Sequence, residues 1–287
     1  MKIEVAKSAG FCFGVERAVD TVYQLAKSKP DSVCTLGPII HNEQVVNDLE
    51  KKGVVVVDHP GEIKDNSMVA VIRSHGVSKE IIDELEKRGI SYEDATCPFV
   101  KKIHKIVQEY SEKGYQILIV GTRTHPEVQG ILGWTGKRGS VIENREQAQA
   151  FSLEHPEQKI CIVAQTTFNY KKFQELVEII EKKGYYIYDV NTICNATSTR
   201  QKEAEELAGR SEAMIVIGGR HSSNSRKLYE ICKNQCENTF FIQTADELST
   251  IPLHSYASLG ITAGASTPNN IIQEVLRACQ KQVLKNC

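Results

Sequence analysis

The chain reads as an α/β protein made of three repeated units, each a small, mostly parallel sheet with helices packed on it, related by pseudo-three-fold symmetry about one centre. Three observations predict this. Short apolar runs of strand length alternate with segments of helical periodicity throughout the 287 residues. Cys12, Cys97 and Cys194, spaced 85 and 97 residues apart, each stand in the turn between a strand and a helix. Polar loops then recur at set distances from each cysteine: 29 residues on at His41, 28 at His125 and 28 at Ser222, followed by 63 at His75, 69 at Thr166 and 72 at Ser266.

Each element has its own justification. Residues 2–6 are a strand leading through Gly10 and Phe11 to Cys12, and Val15, Val19, Val22 and Leu25 follow at helical spacing. Strands are expected at 32–37, 54–57 and 68–72, with helices at 43–52 and 79–88. Residues 90–92 form the strand before Cys97, and Val100, Ile103, Ile106, Val107 and Tyr110 mark the helix after it. The middle third continues with strands at 116–120 and 160–164, a helical stretch after His125 and a helix at 170–183. A strand at 186–190 leads to Cys194, followed by the helix formers of 200–207. The last third has strands at 214–217, 240–242 and 258–261, a helix carrying Leu228, Tyr229 and Ile231, and a final helix from about 270 to about 284. The second and third cysteines each follow a strand of the preceding unit, whereas the last unit runs out of chain, so residues 2–6 are expected to complete its sheet. This divides the chain into domains at 13–96, 97–193 and 194–287, the last completed by 1–12. In parallel sheets the loops at the carboxyl ends of strands build the ligand site, and here nine such loops could face one centre.

Composition narrows the function. Charge is nearly balanced, 35 Lys and Arg against 36 Asp and Glu, which gives no reason to expect nucleic acid or an anionic membrane as partner; a small ligand is the better default. The amino terminus lacks the apolar stretch of a signal peptide and no run approaches the ~20 apolar residues that span a bilayer, so a cytoplasmic location is expected. Nine cysteines in a reducing compartment read as ligands, catalytic thiols or buried small hydrophobes rather than disulfides.

Amide N–H groups and the helix dipole at a strand-to-helix turn favour thiolate over thiol. Three such turns at one position of a threefold repeat point to a shared metal centre. Structural zinc would need a fourth protein ligand. An iron–sulfur cluster held by three thiolates leaves one iron open to substrate, and the neutral polar groups of the surrounding loops favour it. Of the other cysteines, Cys34 and Cys161 lie inside apolar strands as core residues, Cys232 and Cys236 share a helical spacing but follow no strand, and Cys279 and Cys287 have no partner pattern.

His41, His75 and His125 stand at strand ends, a repeated placement suited to an anion or a metal. Ser222, Ser223, Asn224 and Ser266 offer neutral donors, with helix starts beside them, and can hold a phosphate without a Walker-type loop; helix capping explains the serines equally well. His59, His104, His155, His221 and His254 lack a repeated context and read as surface or structural. Glu127, two residues after His125, is either a proton donor near the centre or a first-turn helix carboxylate, and sequence alone does not separate the two.

Gly10-Phe11-Cys12-Phe13-Gly14-Val15, His41-Asn42, Ser74-His75-Gly76, Ala95-Thr96-Cys97-Pro98, His125-Pro126-Glu127, Gln165-Thr166-Thr167, Ser222-Ser223-Asn224-Ser225 and Thr262-Ala263-Gly264-Ala265-Ser266 together resemble the 4-hydroxy-3-methylbut-2-enyl diphosphate reductase family, which acts last in the methylerythritol phosphate route to isoprenoids. The resemblance runs from Gly10 to Ser266 and no motif residue is missing. It implies one oxygen-sensitive 4Fe-4S cluster on Cys12, Cys97 and Cys194, with one open iron site, at the centre of the three domains. It implies that His41, His75, His125, Ser222, Ser223, Asn224 and Ser266 surround the diphosphate of an allylic substrate, with Thr166 and Glu127 at its hydroxyl end. The implied reaction is reductive dehydroxylation of (E)-4-hydroxy-3-methylbut-2-enyl diphosphate to isopentenyl and dimethylallyl diphosphates, with Glu127 delivering the proton as the hydroxyl leaves. No GxGxxG fingerprint is present, so electrons would come from an external donor such as ferredoxin or flavodoxin. The alternatives are a cluster-dependent dehydratase resembling quinolinate synthase, whose dicarboxylate pocket would call for cationic side chains, and a non-enzymatic cluster-binding or zinc-binding protein.

Overall fold

A computed structural model of the chain describes residues 1–155 and 157–285. In chain order the first elements are β1 (Lys2–Val5), α1 (Phe13–Ser28), β2 (Val33–Leu36), α2 (Glu43–Glu50), β3 (Val55–Val57), β4 (Val69–Ile72), α3 (Lys79–Arg88) and β5 (Tyr92–Asp94). The middle third follows with α4 (Pro98–Glu112), β6 (Gln116–Val120), α5 (Pro126–Gly133), β7 (Gly139–Ile142), α6 (Arg145–Ala150), β8 (Ile160–Ala164), α7 (Tyr170–Glu181) and β9 (Ile187–Val190). The last elements are α8 (Asn195–Ala208), β10 (Ala213–Ile217), α9 (Ser223–Gln235), β11 (Thr239–Ile242), β12 (Ser258–Ala263) and α10 (Asn269–Lys285).

The strands form three four-stranded sheets ordered β3-β2-β4-β5, β7-β6-β8-β9 and β11-β10-β12-β1, every pairing parallel. The order is the same each time, and β1 takes the fourth place in the last sheet, with Lys2 opposite Ser258 and Val5 opposite Ile261. The vacancy inferred from sequence is filled by the amino-terminal strand. The chain forms two compact units: one takes Met1–Val15, His41–Gln44 and the chain from Asn195 on, with the last sheet; the other takes Glu16–Ile40 and Val45–Cys194, with the first two sheets.

Both faces of each sheet are covered, which is why the central strands read as unbroken apolar runs. Along β10, Ala213, Ile215 and Ile217 pack with Leu259, Ile261 and Val275 on one side, while Met214 and Val216 pack with Leu207, Leu228 and Cys232 on the other. In the second sheet, Leu118, Ile160 and Ile162 meet Phe173 and Ile180, whereas Ile117, Ile119 and Cys161 meet Ile103 and Val107. Each of the fully buried Val, Leu, Ile, Phe and Met side chains contributes about 1.5–3 kcal/mol relative to exposure.

Four sequence expectations shift. The strand before Cys97 is Tyr92–Asp94 rather than 90–92; Ile90, 3% exposed, belongs to the core just ahead of it. The helix after Cys194 begins at once with Asn195, although Asn195, Thr197, Ser198 and Thr199 are weak helix formers, because Thr197, Arg200, Gln201 and Ala204 bury one continuous face. β7 and α6 escape the sequence reading, since residues 139–142 place only two apolar side chains after a glycine and a serine. Asn224 and Ser225 belong to the first turn of α9 rather than to a loop. Cys287 lies outside the described residues.

Candidate active site

In the unit with two sheets, the loops after β4, β6 and β8 carry the candidate residues His75, His125 and Thr166, with Glu127 in the first turn of α5. His125 caps α5: its Nδ1 accepts the Glu127 amide at 3.2 Å, and Pro126 occupies the first helical position. The proton of a neutral His125 ring therefore sits on Nε2. His75, in the loop after β4, packs edge-on against His125 with ring centroids 5.3 Å apart. Gly76 makes the turn behind it with φ +72, and a Cβ there would meet His104 Cε1 at 2.7 Å. His104 is structural: it is buried, stacks on Trp134 at 5.3 Å, and desolvation pushes its pKa down to about 4, so the ring is neutral. Trp134 is fixed in turn by a 2.9 Å bond from Nε1 to the Val77 carbonyl.

Glu127 is 2% exposed, and its carboxylate faces Thr166. Oε1 accepts the Thr166 amide at 2.5 Å and Oε2 accepts the Thr166 hydroxyl at 2.7 Å. Desolvation pushes the Glu127 carboxyl up to about 7, and the two Thr166 bonds only partly offset it. A helix-dipole carboxylate would sit at the surface, ionised. This one is a buried acid poised near neutral pH, the state that proton transfer requires. Gln165 escaped the sequence reading as a working residue: its Oε1 accepts the Thr122 amide at 3.1 Å, tying the loop after β6 to the loop after β8. Its place next to Thr166 was the available signal.

In the other unit, Ser222 caps α9, its Oγ accepting the Ser225 amide at 3.3 Å, and so satisfies the capping reading. It also gathers neighbours: Ser225 Oγ at 3.0 Å and Ser266 Oγ at 3.3 Å, while Ser266 Oγ donates to the His41 carbonyl at 3.3 Å. Gly219 allows this closeness, because a Cβ there would lie 2.5 Å from the His41 carbonyl oxygen. Ser223, half-buried, opens α9, and Asn224 follows, 4% exposed, with neither its Oδ1 nor its Nδ2 hydrogen-bonded. A buried amide left wholly unsatisfied at a helix start costs about 1–3 kcal/mol, which a ligand accepting and donating there would recover.

The three repeat cysteines stand apart from the others. Cys12, Cys97 and Cys194 are half-buried, whereas Cys34, Cys161, Cys232, Cys236 and Cys279 are buried. Burial pushes the thiols of Cys34 and Cys279 up to about 11 and those of Cys161 and Cys232 up to about 12, so these are core residues and poor ligands. Each repeat cysteine is placed by the same bond. The Cys97 amide donates to Ser74 at 3.0 Å, that of Cys194 to Thr166 at 3.2 Å and that of Cys12 to Ala265 at 3.3 Å, the acceptor always lying two residues beyond the third strand of its repeat. Three half-buried thiols in equivalent turns, among protonated core thiols, are a donor set suited to an iron–sulfur cluster.

Fold and local geometry define an α/β protein whose loops at the carboxyl ends of parallel strands carry polar side chains, a buried acid and, in equivalent turns, half-buried thiols. The sequence profile of the LytB protein family matches residues 3–280. The 4-hydroxy-3-methylbut-2-enyl diphosphate reductase of Thermoanaerobacter sp. (strain X514) is 46% identical over 281 residues, 96% of each chain. That of Clostridioides difficile (strain 630) is 44% identical over 276 residues, 96% of this chain and 98% of the other. Among solved structures, the E-1-hydroxy-2-methyl-but-2-enyl-4-diphosphate reductase of Plasmodium falciparum superposes with a TM-score of 0.91 at 27% identity, over 96% of this chain and 87% of that one. An (E)-4-hydroxy-3-methyl-but-2-enyl diphosphate reductase described as the terminal enzyme of the non-mevalonate pathway gives 0.71 at 42% identity, over 98% and 99%. The chain belongs to the LytB protein family. No helix among the described residues is long and apolar enough to cross a membrane.

Proposed function

We propose that this chain is a reductase that dehydroxylates (E)-4-hydroxy-3-methylbut-2-enyl diphosphate to isopentenyl and dimethylallyl diphosphates, with a 4Fe-4S cluster held by Cys12, Cys97 and Cys194. The observation that carries the reading is that each of these three cysteines donates a backbone hydrogen bond to a carbonyl in the loop beyond the third strand of a repeat, while four buried cysteines are held protonated. When bound, the cluster would supply the two electrons one at a time and an iron open to the hydroxyl oxygen.

The remaining work falls to the chain. Glu127, buried and half-protonated near pH 7, holds the proton that lets the hydroxyl leave as water, and Thr166 orients its carboxyl with two bonds. Asn224, with an unsatisfied donor and acceptor, and Ser222, Ser223 and Ser266 around the start of α9 suit the diphosphate. His41, His75 and His125 serve the same charge as donors, His125 through Nε2. The chain divides functionally as 13–96, 97–193 and 194–287 with 1–12, with Cys97 opening the second domain, Cys194 opening the third and Cys12 standing just ahead of the first. Electrons arrive from an external carrier such as ferredoxin or flavodoxin, in the cytoplasm.

Iron and acid-labile sulfide are measured on anaerobically prepared protein, and conversion of the hydroxylated diphosphate is followed with a chemical reductant. Iron and sulfide in cluster stoichiometry are expected, lost in Cys97→Ser and retained in Cys161→Ser. Zinc without iron or sulfide would sink the mechanism.

A further inference from the structure

Arg200 and Glu203 lie one turn apart on α8, and both reach the segment that leads into Cys12. Arg200 is 4% exposed. Its Nε and Nη2 donate to the Ser8 carbonyl at 2.9 and 2.5 Å, and Nη2 donates also to the Gly10 carbonyl at 2.8 Å. Glu203 accepts the amides of Lys7 and Ser8 at 2.7 and 2.8 Å and the Ser8 hydroxyl at 2.5 Å. Gly10 completes the constraint: its φ is +103, and a Cβ there would stand 3.1 Å from Ile272 Cδ1. The other unit carries a matching device at a different cysteine, for Arg17 of α1 donates through Nη2 to the Thr96 carbonyl at 2.6 Å, one residue before Cys97.

A buried guanidinium is expensive to desolvate, and packing alone would be served by an apolar side chain. What selects arginine is a rigid fork that can hold two carbonyls at once, which a lysine cannot copy. A surface loop of glycine and small residues would otherwise sample many backbone states and present its thiol in as many places. We propose that Arg200, assisted by Glu203, is a positioning residue for Cys12, and that Arg17 is the corresponding positioning residue for Cys97. Arg200 fixes the Ser8 and Gly10 carbonyls on the approach to Cys12, and Arg17 fixes the Thr96 carbonyl directly before Cys97, so each thiol is presented in one place before any ligand binds. The inference rests on the reading of Cys12 and Cys97 as cluster ligands.

The test compares wild type with Arg200→Gln, Glu203→Gln and Arg17→Gln as full-length, cluster-free protein kept reduced. Alkylation of each cysteine by iodoacetamide is timed by peptide mass spectrometry. Arg200→Gln and Glu203→Gln are expected to speed Cys12 by about ten-fold, the factor that one or two lost hydrogen bonds represent, and to leave Cys97 and Cys194 unchanged. Arg17→Gln is expected to speed Cys97 alone. Iron and sulfide uptake on reconstitution should fall in the same variants, with Arg200→Lys only partly restored. Unchanged Cys12 reactivity overturns the proposal. Equal acceleration of all three thiols also overturns it, because that marks general loosening. Glu203 is half-exposed, so its variant carries the test where Arg200→Gln fails to fold. A wild type that takes up no iron and sulfide would remove the cluster reading and leave the alkylation comparison to decide the clamp.

Discussion

Replacing Glu127 by Gln removes a buried acid whose folded-state pKa is about 7 against an ordinary 4.5. The interval, at about 1.4 kcal/mol per pH unit, amounts to roughly 3 kcal/mol. The folded state binds this proton more tightly than the unfolded state, so the contribution is fully present below about pH 4.5 and is lost as pH rises toward 7 and beyond. His104 works in the opposite sense: its pKa is depressed from 6.5 to about 4, so it adds stability above 6.5 that is lost as pH falls toward 4. The two nearly cancel between pH 4.5 and 6.5, and a wild-type profile alone would look flat. The difference between wild type and Glu127→Gln isolates the carboxyl. Urea unfolding followed through Trp134, the one tryptophan of the chain, at pH 4.5 and pH 8 should show wild type losing roughly 3 kcal/mol relative to the variant across that interval. With reconstituted protein, the same variant should bind substrate and turn over at least about a hundred-fold more slowly, the usual scale of a lost general acid. A difference in stability that does not change with pH would refute the buried-acid argument, and unchanged turnover would remove Glu127 from proton delivery.

The other predictions concern packing and binding. Asn224→Ala removes an amide with no hydrogen bonds, so the melting temperature of ligand-free protein should hold or rise, while affinity for a diphosphate ligand, read by calorimetry, should fall by about ten-fold. A large loss of stability would show instead that Asn224 is satisfied within the fold. Gly76→Ala combines φ +72 with a Cβ 2.7 Å from His104, which is stacked on Trp134 and cannot retreat, so it should cost roughly 2–4 kcal/mol and shift Trp134 emission. Wild-type emission and stability in that variant would mean that the His104–Trp134 layer yields easily.

Much of the fold was legible because its signal is local and repeated. Strands covered on both faces must be apolar throughout, so β4, β6, β8 and β10 stand out as short unbroken runs. The threefold recurrence singled out the turns of Cys12, Cys97 and Cys194 without coordinates, and the structure gives those three turns the same backbone hydrogen bond. β7 was illegible because four residues with two apolar side chains carry almost no periodicity, and the start of α8 because its first residues are held helical by burial rather than by propensity.

What only the tertiary structure decided is the environment of each group. His125 and Glu127 lie two residues apart in sequence and their cap is local, but that Thr166, 39 residues away, faces the Glu127 carboxyl depends on β6 and β8 being neighbours in one sheet. The near-neutral acid, the unsatisfied Asn224 and the division of cysteines into accessible and buried follow from desolvation by distant segments. Residue identity fixes what a side chain can donate or accept; only packing fixes whether water is there to compete, and that competition sets its charge and its availability.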